Sequence, residues 1–121
     1  MLLQLLQREV IYSTLFPVQL GVAIPGATEL IGRAADFLLG SPSSGKLLLQ
    51  VDLRNAFNSV NRAQLLQRVR ETAPGFSQWA EFIYGQPAPL ILTKGQQLLS
   101  QEGVQQGDPL GPLLFALSIH P

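Results

Sequence analysis

Asp52 closes the run Lys46-Leu-Leu-Leu-Gln-Val-Asp52 and is a carboxylate at the end of an otherwise apolar stretch. A charge in that position is costly unless it is exposed or paired with a cation. A carboxylate fixed at a strand end beside a loop suits magnesium, a hard ion that takes oxygen ligands. The alternative is a cap on the turn that follows, Leu53-Arg54-Asn55. The second stretch with chemical potential is Glu102-Gly-Val-Gln-Gln-Gly-Asp-Pro-Leu-Gly-Pro-Leu-Leu-Phe115. Its glycines and prolines specify a turn that can bring backbone N–H groups and Gln106 against a flat ligand or a phosphate. The plainer reading is a structural turn in which Asp108-Pro109 opens a helix. A third stretch, Gly40-Ser-Pro-Ser-Ser-Gly45-Lys46, matches the glycine and lysine spacing of a phosphate-cradling P-loop. That cradle needs a strand before it and a helix after it. Here the expected order is reversed, and Leu47 stands where the magnesium-binding hydroxyl belongs, so a Ser/Gly turn is the better account.

Composition removes several other chemistries. With no cysteine there is no disulfide framework, thiolate metal site or cysteine nucleophile. A single histidine, His120, argues against a zinc site or a Ser-His-Asp triad. The formal net charge is zero, which gives the chain as a whole no electrostatic pull on nucleic acid. No apolar run approaches the roughly 20 residues that span a bilayer. The first residues lack the basic start of a signal peptide, so the expected setting is intracellular, without membrane contact. The 121 residues are 46% hydrophobic but only 13% charged, and thirteen glutamines supply much of the polarity. A surface so short of charge is sticky, and the chain reads as a piece of something larger.

The elements that must position these residues can be placed from periodicity and punctuation. Leu2, Leu3, Leu5, Leu6, Val10 and Ile11 fit a short amphipathic helix, and residues 13–27 read as irregular. Thr28 is the expected N-cap of a second helix carrying Leu30, Ile31, Ala34, Ala35, Phe37 and Leu38. Residues 46–52 have the length and apolar continuity of a strand covered on both faces. Asn61 with Gln64 predicts a capped helix through Glu71, buried along Leu65, Leu66 and Val69. Phe76, Trp79, Ala80, Phe82 and Ile83 predict a short helix closed by Gly85. Residues 89–93 and 97–101 predict a hairpin, and residues 112–119 an apolar helix. This order gives an α+β class.

Together these segments resemble reverse transcriptases, most closely those of non-LTR retrotransposons. Val51-Asp-Leu-Arg-Asn-Ala-Phe-Asn-Ser-Val60 is similar to the family's first palm motif, an Asp followed five residues later by an aromatic. Gln105-Gln-Gly-Asp-Pro-Leu-Gly-Pro-Leu-Leu-Phe-Ala-Leu117 is similar to its second, and is the more specific match. Gln19-Leu-Gly-Val-Ala-Ile-Pro-Gly-Ala-Thr-Glu-Leu-Ile31 is similar to a fingers segment. The three stand in the family's order across roughly residues 15–121.

The resemblance implies a single partial domain over residues 1–121, fingers-like over about 1–45 and palm-like over 46–121. It implies Asp52 as the first catalytic carboxylate and a metal ligand, with Mg2+ or Mn2+ required by the complete enzyme. The Leu53 carbonyl would lie near the nucleotide-bound metal, and Phe57 under the incoming sugar, where it would exclude a 2′-hydroxyl. Gln106 and Gly107 would form the loop against nucleotide and template base. An RNA template, a DNA primer and dNTPs would be the partners. Asp108 reads as a turn residue, and Asn58 is not assigned to metal. The family's third palm motif, an aromatic-x-Asp-Asp hairpin, has no counterpart in this sequence. The expectations are a chain without polymerase activity by itself, and a palm strand with an unpaired edge. A different reading is a palm-like remnant that serves only as an interaction module.

Overall fold

The computed structural model describes residues 2–40 and 45–121. Helices α1 (Leu2–Leu15), α2 (Ala27–Leu39), α3 (Arg62–Thr72), α4 (Ser77–Tyr84) and α5 (Gly111–Ile119) alternate with one antiparallel hairpin, β1 (Ala88–Ile91) and β2 (Gln97–Ser100). Short 3-10 turns cover Ala56–Ser59, Pro74–Phe76 and Thr93–Gly95. The chain is therefore a mixture of helix and a small two-stranded sheet. Among the described residues no helix is long and apolar enough to cross a membrane.

Helix α3 organises the core. The Asn61 side chain caps it, accepting from the Gln64 N–H at 3.1 Å. Leu65, Leu66 and Val69 then return to one face and are buried there. That face packs against α5 and α4, and more lightly against α1. Phe76, Ala80 and Tyr84 recur every fourth residue and bring the start and end of α4 into the same core, with Leu113, Leu114, Ala116 and Leu117 from α5. Ile11 and Leu15 of α1 complete it. The last turn of α5 is held from outside, where Gln19 Nε2 donates to the Ala116 carbonyl at 2.7 Å and Arg68 donates to the His120 carbonyl.

The capped α3, the short α4 closed by Gly85 and the hairpin 88–100 lie within a residue or two of their expected places. Three expectations are corrected. Helix α1 runs to Leu15 and not into an irregular segment at residue 13, because Leu15 joins Ile11, one turn before it, in the buried core; the Ser13 and Thr14 hydroxyls bond back to the Val10 carbonyl at 3.0 and 2.8 Å. Helix α2 starts at Ala27 after a left-handed Gly26 (φ 70°), which puts Thr28 inside the helix and not at its cap. Residues 46–52 form no strand, and Leu47, Leu49 and Val51 are 98%, 84% and 68% exposed. A strand needs a neighbour to take its N–H and C=O groups, and the hairpin does not pair with this segment. Most of the Ser/Gly turn before it, residues 41–44, lies outside the described residues.

Among the described residues Arg62 is the one charged side chain that is buried. Its Nε donates to the Gly103 carbonyl at 2.9 Å, and its terminal nitrogens donate to the Ser100 carbonyl and hydroxyl at 2.7 Å each and to the Glu102 carbonyl at 3.1 Å. The Tyr84 ring lies 5.3 Å from its guanidinium carbon. No carboxylate is among these partners, so four neutral acceptors and a ring face offset its desolvation. Arg62→Met should destabilise the fold by about 3 kcal/mol, because buried carbonyls lose their donors, and Arg62→Lys should recover part of the loss. Urea unfolding measures both, and a neutral Arg62→Met would show that the guanidinium is dispensable.

Candidate functional site

The segment after Asp52 is shaped by a tight turn. Asn55 adopts a left-handed conformation (φ 54°), its side chain accepts from Asn58 Nδ2 at 2.7 Å, and its carbonyl accepts from the Ser59 hydroxyl at 2.9 Å. Asn58 is thus spent on the turn. This holds Phe57 in the 3-10 segment with its ring stacked on Phe115 of α5, centroids 4.7 Å apart and planes at 18°. The Phe57 ring remains partly open to solvent.

Two main-chain bonds clamp this turn to the glycine-rich loop. Val104 N–H donates to the Phe57 carbonyl and Gly103 N–H to the Val60 carbonyl, both at 2.8 Å. So close an approach requires glycine at 103, where φ is +72° and a Cβ would lie 2.5 Å from the Asn58 Cα. Beyond it the loop is tied to Tyr84, whose hydroxyl accepts from the Gln105 N–H at 3.1 Å and donates to the Asp108 carboxylate. The other Asp108 oxygen accepts from the Leu110 N–H at 2.9 Å. Asp108 is therefore a turn residue, as expected, but it does not cap the helix: Leu110 is the N-cap of α5 and has no side-chain cap bond.

The result is a depression of about 300 Å³ lined by Phe57, Gln105, Gln106, Gly107, Asp108, Gly111 and Pro112. Three of the residues singled out in the sequence, Phe57, Gln106 and Gly107, share it. Leu53 lines a separate depression of about 340 Å³ with Arg54, Asn61, Gln64 and Phe115, so the stacked phenylalanines stand between the two. Asp52 is exposed and lines neither. A magnesium or manganese ion needs several oxygen ligands in a near-octahedral set. Among the described residues no three His, Asp or Glu side chains are placed to hold an ion, and the Asp108 carboxylate is already taken. The residues described do not by themselves fit such an ion.

Arg62 and Tyr84 hold this site together, and neither stood out as functional in the sequence. The signal was present in the spacing, since Arg62 precedes Leu65, Leu66 and Val69 on one helical stripe, and Tyr84 follows Phe76 and Ala80 on another. Burial first, and then the hydrogen bond to the Asp108 carboxylate, push the Tyr84 hydroxyl up from 10.0 to about 12, with the Gln105 N–H and Arg62 opposing.

Comparison with protein-family models, curated proteins and solved structures gives no match to this chain.

Two predictions follow from the clamp and the tyrosine. Gly103→Ala should cost about 3 kcal/mol from the main-chain collision together with the positive φ, whereas Gly107→Ala, with open space around it, should cost about 1 kcal/mol. Equal losses in denaturant melts would contradict the close approach at Gly103. The folded state favours the neutral Tyr84 phenol, so its contribution is complete below pH 10.0 and is lost as pH rises toward about 12. Across that window the wild-type protein should lose more stability than Tyr84→Phe, and parallel pH profiles would remove Tyr84 as the titrating group.

Proposed function

We propose that this chain carries the fingers–palm part of an RNA-directed DNA polymerase of the non-LTR retrotransposon type. The observation that supports the reading is the convergence of two motifs distant in sequence. Phe57 from the first and Gln106–Gly107 from the second line one depression of about 300 Å³. In this reading the depression receives the sugar and base of an incoming dNTP. The exposed face of the Phe57 ring lies against the sugar and leaves no space for a 2′-hydroxyl. The glycine at 107 lets the main chain approach the base without a side chain between them, and Gln106 offers an amide at its edge. Holding the nucleotide in one orientation is what these residues contribute to nucleotidyl transfer. A divalent ion held by a complete enzyme would supply activation of the primer hydroxyl and neutralisation of the leaving phosphate. The RNA template and DNA primer belong to that complete enzyme, as does a full set of carboxylates around Asp52.

A second reading, a non-catalytic palm-like remnant used for interaction, is favoured by one observation. Asp52 sits on an exposed segment with uncovered apolar neighbours, away from the depression that Phe57 lines. The two readings differ in whether the depression takes a nucleotide.

Titration with a dNTP, followed by amide and aromatic NMR signals, should move Phe57, Gln106 and Gly107, and more strongly for a dNTP than for the matching rNTP. Phe57→Ala should weaken that binding about tenfold, equivalent to about 1.4 kcal/mol of ring contact. Unmoved signals, or equal response to the two sugars, would favour the interaction module. The purified chain should incorporate no dNTP in a primer-extension assay with Mg2+, and magnesium-dependent extension would overturn the reading of an incomplete carboxylate set.

A further inference from the structure

We propose that a third depression binds a monoanionic carboxylate carried on an apolar body, with Arg8 as its charge partner. The cavity holds about 520 Å³ and lies between α1, the bend at residues 21–25 and the start of α5. It is larger than either depression beside the stacked phenylalanines and has the size of a small-molecule site. Ile11, Phe76 and Leu113, all buried in the core, line it together with Val22, Ile24 and Leu110. Such a wall takes a hydrocarbon or a ring out of water.

The charge at the cavity selects the other end of the ligand. Arg8 is the one charged residue that lines it. It stands three positions before Ile11 on α1, so the two share a helix face. Arg8 is exposed, and among the described residues no hydrogen bond, ion pair or ring contact engages it. A guanidinium offers a planar fork of donors that matches the two oxygens of a carboxylate. One cation with no second beside it suits a single negative charge better than the nearly double charge of a phosphate monoester.

The bend supplies further donors. Val22, Ala23 and Ile24 are half-buried, yet among the described residues no hydrogen bond engages their N–H groups. Main-chain groups taken out of water in a folded chain nearly always have a partner. Ala23 is left-handed, at φ 62°. Bends with such residues recur where successive N–H groups gather around an anion. The cavity shares only Pro112 with the depression at Phe57, so the inference does not rest on the nucleotide reading.

Decanoate, titrated into the full chain below its micelle-forming range, is the probe, followed by amide and methyl NMR signals. Signals of Ile11, Val22, Ala23, Ile24 and Leu113 should move together and saturate at one ligand per chain. Arg8→Gln changes an exposed residue outside the core. It should weaken decanoate binding about tenfold and leave the binding of uncharged decanol unchanged. The proposal is overturned if decanoate and decanol bind the wild-type protein equally, or if Arg8→Gln leaves decanoate binding unaltered, since the site would then be an apolar surface without a charge partner. Shifts that spread over the exposed Leu47, Leu49, Leu98 and Leu99 without saturating, the sign of unspecific adsorption, overturn it equally. Tighter binding of decyl phosphate than of decanoate would overturn the carboxylate as the ligand class.

Discussion

Arg62 is a buried cation with no buried anion beside it, and the arrangement of the rest of the chain depends on how that cation is satisfied. Its guanidinium is fixed at the first residue of α3, next to the Asn61 cap, and it spreads its donors over the main chain of residues 100–103. Those carbonyls become an ordered rim, so Gly103 and Val104 present their N–H groups to the turn that carries Phe57. The same guanidinium lies beside the Tyr84 ring, and the Tyr84 hydroxyl holds both Gln105 and Asp108. One planar cation thus connects the end of the hairpin, the glycine-rich loop and the aromatic turn. A lysine, with a compact charge and no fork, could not reach all of these acceptors together.

Order in the molecule is unevenly distributed, and the candidate site straddles the boundary. Helices α1, α3, α4 and α5 share the core, whereas α2 buries no residue and the hairpin leaves Leu90, Ile91, Leu98 and Leu99 exposed. Phe57, Gln106 and Gly107 belong to the ordered side, braced by Phe115 and by Tyr84. Asp52 belongs to the uncovered side. A helix closes its hydrogen bonds within itself and then needs only an apolar face to dock, as α5 does on α3. A strand closes none of its own, so the segment that carries the carboxylate stays open until another chain segment lies against it.

The acidic residues of the stretches 51–60 and 105–117, Asp52 and Asp108, therefore have different physical status. Asp108 receives the Tyr84 proton donor and the Leu110 N–H, and its charge is spent in fixing a turn. Asp52 stands in solvent. In the proposed reading, the depression at Phe57 serves to bind, and the chemistry depends on carboxylates that the described residues do not assemble.

The sequence by itself determined those features whose causes are local. Asn61 with Gln64 capped α3, the stripe of Leu65, Leu66 and Val69 found the core, Gly85 closed α4, and Lys94-Gly95 turned the hairpin. The resemblance grouped Leu53, Phe57, Gln106 and Gly107; the last three share one depression, whereas Leu53 lines another. Residues 46–52 misled, because their apolar pattern reports an affinity for a sheet and not the presence of one. Arg62 and Tyr84 were read past because a charge and a phenol on apolar stripes have meaning only when their acceptors are known. Those acceptors are the Ser100, Glu102 and Gly103 carbonyls and the Asp108 carboxylate, between 24 and 41 residues away in sequence. Short-range propensity is written residue by residue, whereas a buried polar group is settled only by the three-dimensional neighbours that replace its water, and the tertiary structure alone supplies them.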